Sequence, residues 1–260
     1  MIIDSLTHVT PDGRWFSTQH DASVDRLLRE MDKAGVERSV VVALAGFIEN
    51  EFVAQMCSRY QDRLIPGASI DPTAFRTPNE ILLATREILS TGAFVVLKLH
   101  PRLHRYDVLD PRCLTLLEKV SEMNSPPYIW IDTFLRYRGA SLQKPPVDAI
   151  HDLVGRFPSL TFVLLHSCGP DILRLADAIR DCPNTFLDIS YTLRRYRGSS
   201  VELDLRYLLQ TFEQRMVFGS DFPEVSIPDA LKEFESLSIG MTSDKRERVL
   251  EKNLGEILGI

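Results

Sequence analysis

The sequence predicts a parallel (β/α)8 barrel, a TIM barrel, built as one α/β domain over residues 1–260. Three observations predict it. Eight short runs rich in β-branched and aromatic residues alternate with eight amphipathic stretches of helical length, each strand followed by a helix. Several runs, VVVALA and FVVLKL among them, are apolar on both faces, which suits strands covered by helices outside and by a packed barrel interior inside. The 260 residues match the roughly 250 that eight such units need. The main competitor, a doubly wound open sheet, lacks its signals: no GxGxxG follows the first strand and no GxxxxGK[ST] occurs anywhere.

The first strand is MIIDSLTH (1–8), broken by Thr10-Pro11-Asp12-Gly13. A period of two would turn Asp4, Leu6 and His8 to the same face. The helix ASVDRLLREMDKAG (22–35) follows, with apolar residues at i, i+3 and i+4 spacing. RSVVVALAG (38–46) leads into ENEFVAQMCSRYQ, RLIPGASI (63–70) into PNEILLATREILSTG, and AFVVLKLH (93–100) into PRCLTLLEKVSEMN. PYIWIDT (127–133) precedes PPVDAIHDLVGRF, LTFVLLH (160–166) precedes GPDILRLADAIRDC, and TFLDIS (185–190) precedes SSVELDLRYLLQTF. RMVFGSD (215–221) and IPDALKEFESL close the series. No linker, low-complexity tract or composition shift divides the chain.

With 44% hydrophobic and 25% charged residues the chain is an ordinary globule, and its net charge of -6 argues against a general nucleic-acid or anionic-membrane binder. No apolar run reaches the roughly 18 residues that cross a bilayer, and no signal-type leader is visible, so a cytoplasmic location is expected. Cys57, Cys113, Cys168 and Cys182 show no CxxC spacing and are expected to be buried thiols.

Active sites of such barrels form at the carboxyl ends of the strands, so polar residues there carry the most weight. Those ends hold His8, Lys98, His100, Asp132, His166 and Asp221. Each has a structural alternative: His166 as a core histidine bonded to a backbone carbonyl, Asp221 as a cap on the following loop. Asp132 after YIWI would be costly as an unpaired buried anion and needs a cation, a metal or several donors. Two aspartates and two histidines converging on one mouth form a recurrent divalent-metal or acid/base arrangement.

These stretches resemble the amidohydrolase superfamily, in the branch called amidohydrolase family 2. The resemblance runs nearly end to end, through MIIDSLTHV, GAFVVLKLHP, LTFVLLHSCG, RMVFGSDFP and KRERVLEKNLGEILGI. It implies a metal-dependent hydrolase or decarboxylase. In that family the first strand carries HxH, histidines end strands five and six, and an aspartate ends strand eight. By position these are Leu6 and His8, Asp132, His166 and Asp221, so two of the five depart from the pattern. Leu6 stands at a coordinating position without a lone pair. The resemblance implies one divalent metal, Zn²⁺ or Mn²⁺, held by His8, Asp132 and Asp221, with Asp221 as general base and His166 stabilising or protonating the reacting oxygen. It also admits metal-free catalysis, as in lactonases acting on carboxylated rings.

Two loops resemble each other, DTFLRYRGASLQ (132–143) and SYTLRRYRGSSVEL (190–203). Arg136, Arg138, Arg194, Arg195 and Arg197, with Arg102, His104 and Arg105, would ring the mouth of an otherwise acidic protein. Guanidinium pairs bidentately with carboxylate or phosphate, so a small anionic substrate is expected, bound by Lys98, His100, Arg136, Arg138, Arg194 and Arg195. Tyr137, Tyr191 and Tyr196 stand beside them to pack against a ring. The expected activity is hydrolysis of an amide, ester or lactone bond; decarboxylation and a non-catalytic barrel binding an anionic metabolite or partner are the alternatives. Neither nucleic acid nor membrane is an expected partner, and a homodimer is compatible with the resemblance.

Overall fold

Parallel hydrogen-bonding between neighbours in chain order is the architecture that results. The computed structural model describes residues 1–90, 93–135 and 142–260. The strands are β1 (Ile3–Thr7), β2 (Arg38–Val42), β3 (Leu64–Ser69), β4 (Val96–Leu99), β5 (Tyr128–Asp132), β6 (Phe162–Leu165), β7 (Thr185–Asp188) and β8 (Met216–Val217). They form one sheet in the order β1 to β8, each parallel to the next. Backbone bonds from Ser5 N to Phe218 O (3.0 Å), Asp221 N to Leu6 O (3.0 Å) and His8 N to Phe222 O (2.8 Å) join the last strand to the first and bring the sheet round to a nearly closed barrel. The expected (β/α)8 architecture is therefore present.

Strand alternation fills the barrel. Leu6, Val40, Val42, Val96, Trp130, Val163, Leu165 and Val217 pack together inside it, and Leu254 and Ile257 of the terminal helix Asn253–Leu258 join them beside Ile3, at the amino-terminal end of β1. Two residues further along a strand lies the same face, nearer the mouth. Val96 is thus followed by Lys98, Trp130 by Asp132, and the inward-packed Phe186 by Asp188. Trp130 also donates from Nε1 to Ser5 O across the interior at 3.0 Å.

The first strand departs from its predicted period. Asp4 pairs with Ser39 but Thr7 with Val41, so three steps on β1 oppose two on β2, a bulge. Leu6 and His8 still face inward, whereas the Asp4 carboxylate accepts from Leu6 N (3.1 Å) and Ser220 N (2.9 Å) at the β8–β1 seam. Burial pushes the Asp4 carboxyl up to about 7. The expected set of Asp4, Leu6 and His8 therefore becomes Leu6 and His8, with Ser5 Oγ also reaching inward to Asp188.

The helices follow local signals. Ser23 caps Val24–Ala34 by accepting from Arg26 N, and Gly35 ends it with a φ of 68°. Asp110 and Ser226 do the same for Pro111–Ser121 and Ile227–Leu237. The helix expected from 169 starts only at Ile172, because His166, Ser167 and Cys168 all take positive φ before it. All four cysteines are buried, and none is joined in a disulfide among the described residues.

Gly219, just past β8, has no room for a side chain. A Cβ there would lie 2.5 Å from both Asp188 Oδ2 and Ser5 Oγ and 3.0 Å from Ser190 Cβ. Gly219→Ala is expected to cost about 2–3 kcal/mol, the overpacking range for a buried site, read as a lowered midpoint in urea denaturation.

Candidate active site

Each predicted strand-end residue can be placed by its partners. His8 follows β1, and its Nδ1 lies 2.7 Å from Val42 O. A carbonyl only accepts, so Nδ1 carries the proton and the Nε2 lone pair faces out. Lys98 Nζ on β4 donates to that Nε2 at 3.1 Å. Burial, and then the Lys98 charge, hold His8 well below its usual range, hence neutral. Burial also brings the Lys98 ammonium down to about 8, against the pull of Asp221 and Asp132.

His100 caps the short helix Pro101–His104 by accepting from Leu103 N through Nδ1 at 3.3 Å. Its Nε2 therefore carries the proton and faces Asp132 Oδ2 at 3.5 Å. Asp132 ends β5 and is fully buried, yet its carboxylate is well supplied. Oδ1 accepts from Phe134 N (3.0 Å), while Oδ2 accepts from Arg102 Nη2 (3.0 Å) and lies 3.5 Å from His166 Nε2. Burial would raise this carboxyl, but His100, His166 and Arg102 together hold it well below the usual range.

His166 follows β6 with a φ of 62° and is stacked by Phe134, ring centres 5.2 Å apart. Burial disfavours its imidazolium, but Asp221 and Asp132 outweigh that and raise its pKa. Asp221 follows β8 in the left-handed region, φ 63°, and burial lifts its carboxyl to about 6 while His166 and Lys98 pull it back. The six predicted side chains, His8, Lys98, His100, Asp132, His166 and Asp221, are thus linked through contact or charge into one cluster at the mouth.

The arginines divide. Arg102 enters the cluster through Asp132, with 42% of its side chain exposed. Arg194 does not: it pairs with Asp229 at 3.2 Å on the rim. Arg195 is exposed and lies over the Tyr191 ring, its Nη1 donating to Tyr191 Oη at 3.2 Å. Arg197 pairs with Glu233. Arg136 and Arg138, with Tyr137, lie outside the described residues.

Other members went unpredicted. Trp15 stacks on His8 at 5.4 Å, donates from Nε1 to Glu224 Oε1 at 2.6 Å, and borders a cleft of about 550 Å³ with Phe16 and Phe47. Asp188 and Ser190 sit behind His166. The signal for Asp188 was available: it ends β7 as Asp132 ends β5.

The donor set does not fit the expected metal. Leu6 lies in the apolar interior, Lys98 Nζ stands against the one free nitrogen of His8, and Asp132 Oδ2 is engaged by Arg102. A divalent ion bonded at about 2.0 Å to His8 Nε2 would press against that ammonium, and like charges repel. Among the described residues no group of three or more His, Cys, Asp or Glu side chains is arranged to hold a metal ion. Of the residues expected to hold that metal, His8 is in contact with Lys98, and Asp132 and Asp221 act on the same lysine through their charge. Among the described residues, too, no helix is long and apolar enough to cross a membrane.

The amidohydrolase family model matches residues 3–260. No curated protein matches the chain. Among solved structures, an uncharacterized TIM-barrel protein from Bordetella bronchiseptica is similar with a TM-score of 0.81 and 21% identity, over 99% of this chain and 98% of that one. A probable 2-pyrone-4,6-dicarboxylic acid hydrolase from Acinetobacter baumannii, with citric acid bound, gives 0.68 and 18% over 100% and 99%. A 5-carboxyvanillate decarboxylase from Novosphingobium aromaticivorans, complexed with manganese and 4-hydroxy-3-methoxy-5-nitrobenzoic acid, gives 0.71 and 11% over 100% and 96%.

Proposed function

The chain belongs to the amidohydrolase family, and from that premise we propose that it hydrolyses an ester or lactone bond in a small carboxylated molecule, using Lys98 as the cation of the site. Solved structures of similar fold include hydrolases and decarboxylases, so the family allows either bond type. The observation that carries hydrolysis by a lysine is the contact of Lys98 Nζ with His8 Nε2, between two aspartates of opposite protonation tendency.

The roles follow from these tendencies. Asp132 stays ionised and holds Arg102 and His166. Asp221 is poised to take a proton near neutrality and serves as general base for water. That water attacks the carbonyl carbon, and the charge developing on its oxygen is stabilised by the Lys98 ammonium. His166 gives its proton to the leaving oxygen as the carbon–oxygen bond breaks, so a carboxylate and a hydroxyl are the products. Arg102, half exposed beside the cluster, is the guanidinium placed to bind a substrate carboxylate. The polycarboxylates named for the Acinetobacter relative, a pyrone dicarboxylate and citrate, support the anionic substrate class.

The test is turnover of 2-pyrone-4,6-dicarboxylate and a panel of carboxylated lactones and benzoates, after dialysis against a chelator. Ring opening is expected without added metal. Activity that appears only with Mn²⁺ or Zn²⁺ would overturn the role given to Lys98, release of CO₂ would make the enzyme a decarboxylase, and no turnover on any of the panel would favour the binding protein.

The pH profile is fixed in sign. Asp221 works ionised, and its carboxyl is lifted to about 6, so kcat/KM is expected to rise through that pH. Lys98 works protonated and is lowered to about 8, so the rate falls above it. A plateau between about 6 and 8 is the expected outcome of a rate titration; a rate still climbing at pH 9 would contradict it.

A further inference from the structure

Behind His166 lies a buried group to which the mechanism above gives no part. Asp188 Oδ1 accepts the backbone N–H of His166 and of Ser190, each at 3.1 Å, together with the Ser190 hydroxyl. Its Oδ2 accepts the hydroxyl of Ser5. Ser190 has a single hydroxyl proton, and the carboxylate is the stronger of its two neighbouring acceptors, so that proton points to Asp188. Only lone pairs remain on Ser190 Oγ, and they lie 3.1 Å from His166 Nδ1. The Ser190 carbonyl, which has no proton to give, lies 3.2 Å from the same nitrogen. An acceptor also faces Nε2, but Asp132 Oδ2 is farther away, at 3.5 Å, and already takes Arg102 Nη2. The two nearer acceptors on Nδ1 therefore hold the hydrogen there when the ring is neutral, and Nε2 is the nitrogen turned to the mouth.

The backbone is bent to aim this ring. His166, Ser167 and Cys168 have φ values of 62°, 46° and 57°, a run that side-chain-bearing residues adopt only under constraint. The constraint is visible: Ser167 Oγ donates to Asp188 O at 2.6 Å, Thr192 Oγ1 to His166 O at 2.6 Å, and Cys168 N to Thr133 Oγ1 at 2.7 Å. Asp188 thus bonds both to the backbone that carries His166 and to the hydroxyl that faces its ring.

We propose that Ser190, anchored by Asp188, is a positioning residue that fixes His166 with its proton on Nδ1 and reserves Nε2 for exchange with the substrate's leaving oxygen. The use of Nε2 rests on the hydrolytic reading; the location of the Nδ1 proton does not.

The test uses full-length protein labelled with ¹⁵N-histidine and long-range ¹H–¹⁵N spectra at alkaline pH, where the ring is neutral. The His166 signals are assigned by their loss in His166→Gln. The expected wild-type pattern is a protonated Nδ1 and a bare Nε2, and the reverse pattern would overturn the proposal. Ser190→Ala, and separately Ser190→Cys, which keeps the volume but offers a poor acceptor, are expected to raise the share of the Nε2-protonated form while the other five histidines are unchanged. A His166 pattern identical to wild type in both variants would remove Ser190 from the role. Once a substrate is in hand, the same variants are expected to lower kcat by about tenfold or more with KM little changed. Failure to find hydrolysis would leave the tautomer result standing, so the two readings fail separately.

Discussion

Asp221→Asn is expected to lower kcat by about a thousandfold or more, within the range for loss of a general base, while leaving the fold intact. The substitution is a clean one for a structural reason. Asp221 sits at φ 63°, and asparagine is the residue other than glycine and aspartate that tolerates this region best. The backbone bonds from Asp221 N to Leu6 O and from Glu224 N to Asp221 O do not involve the side chain. Stability should rise rather than fall at neutral pH. The folded-state carboxyl is raised by burial to about 6, so the ionised form is disfavoured in the native protein above that pH and not below the unfolded value near 3.8. The variant should therefore melt higher than wild type at pH 7.5, with the difference shrinking towards pH 4. Calorimetry at the two pH values checks the sign, and a variant that keeps full turnover would remove Asp221 from the chemistry.

Lys98→Met is the second large effect. Methionine nearly keeps the length and volume of the side chain and removes the charge, so the barrel interior stays filled. The cation expected to stabilise the carbonyl oxygen is lost, and kcat should drop by about 10²–10³. A second readout separates this from mere damage. Lys98 is one of the two charges that pull Asp221 down, so its removal should move the acidic limb of the pH–rate profile to higher pH. A drop in kcat with an unmoved limb would mean that Lys98 acts on the substrate but not on Asp221; unchanged kcat would end its assignment as the cation.

Much of this site could be read before any fold was known, and the reasons differ residue by residue. His8, Lys98, Asp132 and Asp221 were legible because each stands where an apolar strand ends, and in a barrel those ends meet. Asp188 was less legible, since TFLDIS reads as a strand that runs on to Ser190, whereas β7 ends at Asp188. Its phase shows its face: Phe186 packs inward, and Asp188 lies two residues on. The place of Arg194 on the rim was not legible, because its partner, Asp229, lies 35 residues away on another helix. Asp4 was misplaced by the bulge in β1, which no local pattern announces.

By itself the sequence determined the eightfold alternation, the inward face of most strands, and the loss of a lone pair at Leu6, because each of these is a property of local period or of one side chain. Only the tertiary structure decided what each polar group faces: Lys98 against His8, Arg102 reaching Asp132, and Ser190 behind His166. Partners of this kind are chosen by distances between strands, which barrel closure and a single bulge set. In a dry interior, whichever charge stands nearest then decides whether a histidine is neutral or a carboxylate ionised.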